Sequence, residues 1–216
     1  MSESIFIPLF PLGVVLLPGL PLPLHIFEER YKQMVGECLD NQAAFGVVYY
    51  TGSEMKQAGC TARIVEVLKR YDDGRMDILT SGENRFHIEE QDQSKPYLQG
   101  RVRLFDDQDE ELGDEERELA LRGLLLQEDL RRLTGQEGGS GDSEATELRD
   151  ISFVLAGAEG FSMEEKQAFL EMTSTRERIR RSVNALEKLI ERLKLTLEIQ
   201  RIIGGNGHPP SMIKDD

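Results

Sequence analysis

The sequence predicts an α+β protein: a small, twisted, barrel-like β sheet comes first, and an α-helical bundle ending in one long terminal helix follows. Three observations lead there. Pro11, Pro18, Pro21 and Pro23 crowd the apolar run from Phe10 to Tyr31, where missing amide donors and fixed φ forbid a helix and impose short extended pieces. Two apolar runs meet at Asp73-Gly74, a hairpin signal. After Ser174 no proline or glycine interrupts the chain until Gly204.

The elements follow in order. The proline ribbon stops at His25, and Phe27, Tyr31, Met34, Val35 and Cys38 then make the apolar stripe of an amphipathic helix. Phe45–Tyr50 is a short strand. Thr61–Leu68 alternates loosely through Ala62, Ile64, Val65 and Val67 up to Tyr71-Asp72-Asp73-Gly74-Arg75, where a type I′ turn is expected. Its partner carries Met76, Ile78 and Leu79, breaks at Ser81-Gly82, and resumes with Phe86 and Ile88; Leu98, Val102, Leu104 and Phe105 supply another strand. Several short strands with one early helix imply a barrel-like sheet.

Beyond Asp106 the run DDQDEELGDEERE reads as an exposed, solvated connection. Leu119, Leu121, Leu124, Leu125, Leu130 and Leu133 recur at helical spacing, and Gln136–Ser143 is a flexible loop by composition. Ile151, Phe153, Val154 and Leu155 open a further helix. Ser162 with Glu165, and Ser174 with Glu177, are capping boxes for the last two. Ile179, Val183, Leu186, Ile190, Leu193 and Leu197 form a heptad seam on a helix on the order of 40 Å long. The seam packs on the preceding helices, while the far end, near Leu195, Ile199, Ile202 and Ile203, is open to a partner or a second copy, making a homo-oligomer through the terminal helix one expectation.

The run FPLGVVLLPGLPLPLHIFEERY resembles the start of the N-terminal, substrate-binding domain of Lon proteases in its stand-alone form. Later segments keep the family's order: AAFGVVYYTG, GCTARIVEVLKRYDDGRMDILTSGENRFHIEE, PYLQGRVRLFDD and EEKQAFLEMTSTRERIRRSVNALEKLIERL. The resemblance implies a PUA-like β pseudobarrel over residues 1–106, a helical subdomain over 107–204 and a flexible tail over 205–216. It further implies a non-catalytic polypeptide-recognition or adaptor module, as this domain is in Lon and as the related docking domain is in cereblon. The alternative carried by the barrel's shape is a PUA-like RNA-binding module.

Charge bears on that choice. The 216 residues hold 26 Lys and Arg against 40 Asp and Glu, a formal balance of −14, which repels a nucleic-acid backbone. Nucleic acid is therefore not an expected partner. Arg176, Arg178, Arg180 and Arg181 form the notable basic cluster and read as a solvated helix face laced to Glu177 and Glu187. Cys38 and Cys60 lack CxxC spacing and read as buried thiols of a reducing compartment, with a bridge left open. The start MSESIFIPLF has no basic n-region, and Val14–Leu24 is too short and too proline-rich to span a bilayer. A soluble, cytoplasmic protein without membrane partners is expected.

Catalytic signatures are missing from the chain. It contains no GxxxxGK[ST] loop and nothing like the Lon peptidase serine motif, and Gly204-Gly205-Asn206-Gly207 opens no helix. His25, His87 and His208 stand in unrelated contexts without a zinc spacing; His25 reads as a structural histidine and His87 as solvent-facing. The acid cluster Asp106–Glu111 lacks the glycine and terminal glutamate of an EF-hand. No catalytic, cofactor or metal residues are assigned, no cofactor is expected, and a small-molecule enzyme with an unrecognised cleft ranks last. The expected partners are unfolded client polypeptides or a protein partner. The candidate surface is Leu20 and Leu22 on the proline ribbon with Phe27 and Tyr31 on the adjoining helix, which together carry more apolar groups than a single-sided core contact needs; the competing reading places all four in the core.

Overall fold

The computed structural model describes residues 4–135 and 147–205. The expected loop Gln136–Ser143, the tail from Asn206 and His208 lie outside the described residues. The elements are β1 (Ser4–Leu12), β2 (Pro21–Ile26), α1 (Glu29–Asp40), β3 (Phe45–Tyr50), β4 (Met55–Arg70), β5 (Met76–Asp92), β6 (Gln99–Phe105), α2 (Asp114–Thr134), α3 (Leu148–Ala156), α4 (Met163–Glu171) and α5 (Thr175–Gly205).

The sheet closes on itself. β1 pairs in parallel with β3 and antiparallel with β6, β3 pairs with β4, β4 with β5, and β5 returns to β6. β2 is added outside this ring, antiparallel to the first half of β5. The pseudobarrel implied by the resemblance is therefore present. The strands of the central hairpin are longer than the sequence suggests: β4 has 16 residues and β5 has 17. Gly82 does not break β5. It marks the point where one edge of that strand passes from β2, paired over Met76–Ser81, to β6, paired from Arg85 onward. A Cβ at Gly82 would lie 2.2 Å from the Leu17 carbonyl oxygen, so a side chain at this position would hold the loop before β2 off the strand.

The β4–β5 turn also differs in type. Gly74 alone takes positive φ (82°), Gly74 N donates to Tyr71 O at 3.0 Å, and Tyr71 N donates to Arg75 O at 2.9 Å. That is a type I turn ending in a left-handed glycine; a type I′ turn would need Asp73 at positive φ as well.

One hydrophobic core runs from the sheet into the helices, joining Phe10, Met34, Phe45 and Ile78 to Phe153, Leu155, Leu170, Ile179 and Leu186; a second, smaller cluster around Leu9, Phe86 and Val102 fills the barrel. Tyr31, Met34, Val35 and Cys38 are the buried stripe of α1, as its periodicity predicts, but Phe27 stands before the helix and is 59% exposed. Ser162 and Glu165 form a reciprocal capping box on α4. Ser174 caps α5 by accepting from Glu177 N at 3.1 Å, while the Glu177 carboxylate turns away to Arg180 and Arg181. Both cysteines are free and buried; burial pushes the Cys38 thiol up to about 11 and the Cys60 thiol up to about 12.

The junction of sheet and helices corrects two sequence-based expectations. The acidic connection is not simply solvated, because the Asp107 side chain is 7% exposed and lies between two fully buried guanidinium groups, Arg85 from β5 and Arg178 from α5. Arg178 belongs to no surface face. Its guanidinium pairs with Asp107 and donates to Met172 O at 2.7 Å and Ser152 Oγ at 2.8 Å. Arg85 donates to Asp107 Oδ1 at 2.6 Å, Met172 O at 2.6 Å and Leu170 O at 3.0 Å. Thr175 Oγ1 adds a donor to Asp107 at 2.6 Å, and the Phe153 ring lies 3.8 Å from the Arg178 guanidinium carbon and 5.2 Å from that of Arg85. The rest of the connection closes onto α5 as well: Gln108 N donates to Thr173 O, Ser174 Oγ to Glu110, and Arg176 to Glu116.

Burial alone would raise the Asp107 carboxyl, but the bonds from Arg178 and Thr175 and the charges of Arg178 and Arg85 outweigh it and hold the group below its ordinary 3.8. A carboxyl depressed in the folded state contributes stability above its unfolded pKa and loses it as pH falls through the folded one. Melting temperature is accordingly expected to hold from neutrality down to the ordinary carboxylate range and to fall below it, with a shallower acid limb in Asp107→Asn. Asp107→Asn and Arg178→Ala should each cost about 3–5 kcal/mol at pH 7, since each strands a buried charge; denaturant unfolding measures this.

Candidate functional site

The candidate residues sit around the one strand outside the barrel ring. Leu20 O accepts from Gly82 N at 3.0 Å, and Leu22, Leu24 and Ile26 follow at the same parity opposite Thr80, Ile78 and Met76. Pro21, Pro23 and His25 therefore aim their backbone polar groups at the free edge, where the two prolines offer carbonyls and no N–H. Side chains alternate the other way: Pro21, Pro23 and His25 are exposed, Leu22 and Leu24 half-buried, and Ile26 buried.

The four candidates divide by depth. Leu20 is half-buried against the end of α3, where a Cβ on Gly157 would come 2.3 Å from Leu20 Cδ1. Leu22 is half-buried, packed on the core, and its carbonyl accepts from Thr80 Oγ1 at 2.8 Å. Tyr31 is only 8% exposed; its ring lies 4.1 Å from that of Phe10, with the Arg30 guanidinium 4.5 Å over the ring centre. Burial raises the Tyr31 hydroxyl above its ordinary value. Of the four, Phe27 alone is mostly exposed to solvent.

Phe27 does not stand by itself. Its ring stacks on His25 at 5.9 Å and 22°, and Tyr71 meets His25 edge-on at 5.9 Å. Asp77 fixes this arrangement from the next strand: His25 Nδ1 is 2.5 Å from Asp77 Oδ1, and the Tyr71 hydroxyl donates to Asp77 Oδ2 at 2.8 Å. The bonds from His25 and Tyr71 hold the Asp77 carboxyl below its ordinary value. Lys69 and Arg75 lie 4.4 and 4.9 Å from the Tyr71 ring centre. The result is a solvent-facing aromatic shelf with one ionised carboxylate holding two of its members. Sequence reading placed Tyr71 only in a turn and did not single out Asp77. The signal was available in the pairing of His25 with Asp77, which follows once β2 is set against β5.

Other polar clusters lead away from chemistry. Among the described residues no group of three or more His, Cys, Asp or Glu side chains could hold a metal ion, and no helix is long and apolar enough to cross a membrane. His87 is half-buried, stacked on Phe105 at 4.4 Å. The basic cluster is consumed by acids: Arg176 pairs with Glu116, Arg178 with Asp107, and Arg180 and Arg181 with Glu177; Glu187 pairs with Arg122 instead. That removes the basic face the RNA-binding alternative needs, and this alternative is not favoured.

The described residues thus form a pseudobarrel with a proline edge strand, five helices and an exposed aromatic shelf. The family model for the ATP-dependent protease La (LON) substrate-binding domain matches residues 7–188, and the chain belongs to that family. A Lon protease of Methylocella silvestris is 28% identical over 199 residues, covering 88% of this chain and 24% of that protein. Lon protease 2 of Myxococcus xanthus is 27% identical over 215 residues, covering 92% of this chain and 25% of its own length. The chain thus spans about a quarter of the curated relatives it matches. In solved structures, the Lon N-terminal domain protein from Xanthomonas campestris aligns with a TM-score of 0.65 and 24% identity, covering 82% of this chain and 96% of its own. The N-terminal domain of the Mycobacterium avium complex Lon protease aligns at 0.64 and 18%, covering 84% and 98%. Both show the shared fold.

The shelf's internal bonding is testable by carboxylate NMR. Asp77 should titrate below 3.8 in the native protein, and His25→Ala should move it upward toward that value by removing the larger of its two side-chain bonds. An unmoved titration would mean that His25 does not hold the carboxylate.

Proposed function

We propose that the chain is a non-catalytic polypeptide-recognition or adaptor module that captures apolar side chains of unfolded clients on the shelf around Phe27, with Leu20, Leu22 and Tyr31 supporting β2 and α1 from the opposite, core-facing side. The observation that carries this reading is the exposure of Phe27, 59%, on a ring stack that Asp77 holds in place. An exposed aromatic anchored on a rigid element supplies contact area at low entropic cost, the property shared by recognition hot spots. The neighbouring edge offers acceptors without the matching donors at Pro21 and Pro23, so an added client strand would find an incomplete ladder. Side-chain capture fits this surface better than strand addition. Membership of the Lon substrate-binding domain family supports the same reading.

The test uses a reduced, carboxymethylated model protein that cannot refold, compared with its native form, in a fluorescence anisotropy titration. The unfolded form should bind more tightly. Phe27→Ala should weaken binding by about fivefold or more while leaving unfolding free energy within about 0.5 kcal/mol, because Phe27 is exposed. Equal binding of both forms, or indifference to Phe27→Ala, would reject a client surface at this place.

A further inference from the structure

α2 and α5 run parallel. Glu116 pairs with Arg176 and Arg122 with Glu187, so at the offset of the first pair Thr134, the last residue of α2, comes level with Lys194. The heptad seam of α5 is buried at Ile179, Val183, Leu186 and Ile190, and Leu193 still packs on the core; Leu197 is already exposed. Beyond that level α5 continues for roughly 15 Å with no helix of the described residues beside it, and the side chain of Ile203 lies outside the described residues.

On the side of α5 opposite the seam runs a second stripe. Lys188, Arg192, Leu195 and Ile199 recur at i, i+4, i+7 and i+11, so they stand in line on one helix face, and all four are exposed. Lys188 and Arg192 make no ion pair among the described residues, and they line a cleft of about 310 Å³ with Arg181, Asn184, Ala185 and Glu165. The free face of α2 has the same spacing with the opposite charge: Asp114, Glu118, Leu121 and Leu125, again i, i+4, i+7 and i+11, and again all exposed, Leu125 to 70%. Asp114 and Glu118 also make no ion pair among the described residues.

We propose that these two stripes bind each other between copies of this chain, α2 of one copy lying parallel on the far half of α5 of the next. Parallel alignment sets Asp114 and Glu118 beside Lys188 and Arg192, and Leu121 and Leu125 beside Leu195 and Ile199. An antiparallel alignment would set acids on leucines and cations on leucines, so the order of charge and apolar groups fixes the direction. The contact is heterologous. Within one copy Asp114 lies near the level of Ser174, fourteen residues below Lys188, so each added copy advances by about 21 Å along the helix axis and the assembly is an open, head-to-tail one. With two leucine-sized contacts from each side its area falls in the small, transient class, which forms at micromolar or higher concentration.

Sedimentation equilibrium of the whole chain from about 5 to 500 μM tests this. The wild-type mass should rise with concentration. Lys188→Glu with Arg192→Glu, and separately Asp114→Lys with Glu118→Lys, should each remain monomeric across the range, a weakening of at least about tenfold from like charges set side by side. An equimolar mixture of the two variants should regain association, because the reversed α5 of one matches the reversed α2 of the other. Ile199→Ser, which changes no charge, should also weaken the wild-type assembly. Circular dichroism should show all variants folded, since every substituted side chain is exposed. A wild type that stays monomeric throughout, self-association that survives the charge reversals, or a mixture that stays dissociated would each overturn the proposal.

Discussion

The burial of Asp107 between Arg85 and Arg178 is the constraint on which the rest of the molecule depends. Three parts of the chain that are distant in sequence must meet at one carboxylate: β5, the connection after β6, and the first turn of α5. Two cations share that anion, and the excess positive charge is met by carbonyls at the end of α4, with Met172 O accepting from both guanidiniums. Desolvating such a group is expensive, and an apolar replacement of the same shape could be as stable. What the ionic arrangement adds is a unique geometry: only one docking of helices on barrel satisfies Asp107, and displaced packings leave a charge buried without its partner. The shared hydrophobic core supplies area, while the buried pairs select the register in which that area is used.

That register reaches the edge strand. Leu20 seats against the end of α3, so the loop that delivers β2 is positioned by the helices, while Leu22, Leu24 and Ile26 are positioned by β5. A strand fixed from two sides can carry exposed rings without exposing a sticky ladder. Its prolines withhold donors from the free edge, which guards against edge-to-edge pairing, and the outward parity of Pro21, Pro23 and His25 leaves Phe27 next to a ring already held by Asp77. The same residues therefore protect the sheet from indiscriminate strand addition and leave side-chain contact as the means of recognition.

Much of this was legible in the sequence, and most of what was not shares one cause. Local signals held: the prolines excluded a helix, α1 buried the stripe its periodicity marks, Gly74 turned the hairpin, and Ser162 capped α4. The heptad seam was correctly placed within the subunit as far as Leu193. Expectations failed where one residue answers to a distant partner. Asp107 sits in an acidic run whose composition reads as solvent-facing, and Arg178 sits among arginines that do face solvent; only the folded chain sets one against the other. Gly82 read as a break because local propensity cannot show that β5 has two partners along one edge. Phe27 read as part of the helical stripe because the helix start was placed too early, and its exposure is a consequence of standing two residues before α1.

Charge works at two ranges in this protein, and the difference bears on how copies can approach one another. A body of formal charge −14 repels its own kind at long range. At physiological ionic strength the screening length is about 8 Å, so most of that repulsion is damped before surfaces touch, while charges that come into contact still sense each other's sign. Recognition between acidic bodies must then be local and ordered, with cations placed where the partner's acids arrive. Lys188 and Arg192 make no ion pair among the described residues, whereas Arg176, Arg178, Arg180 and Arg181 are all paired. A cation pair on an acidic protein, continued in line by exposed Leu195 and Ile199, has the polarity needed to accept an acidic, leucine-bearing helix.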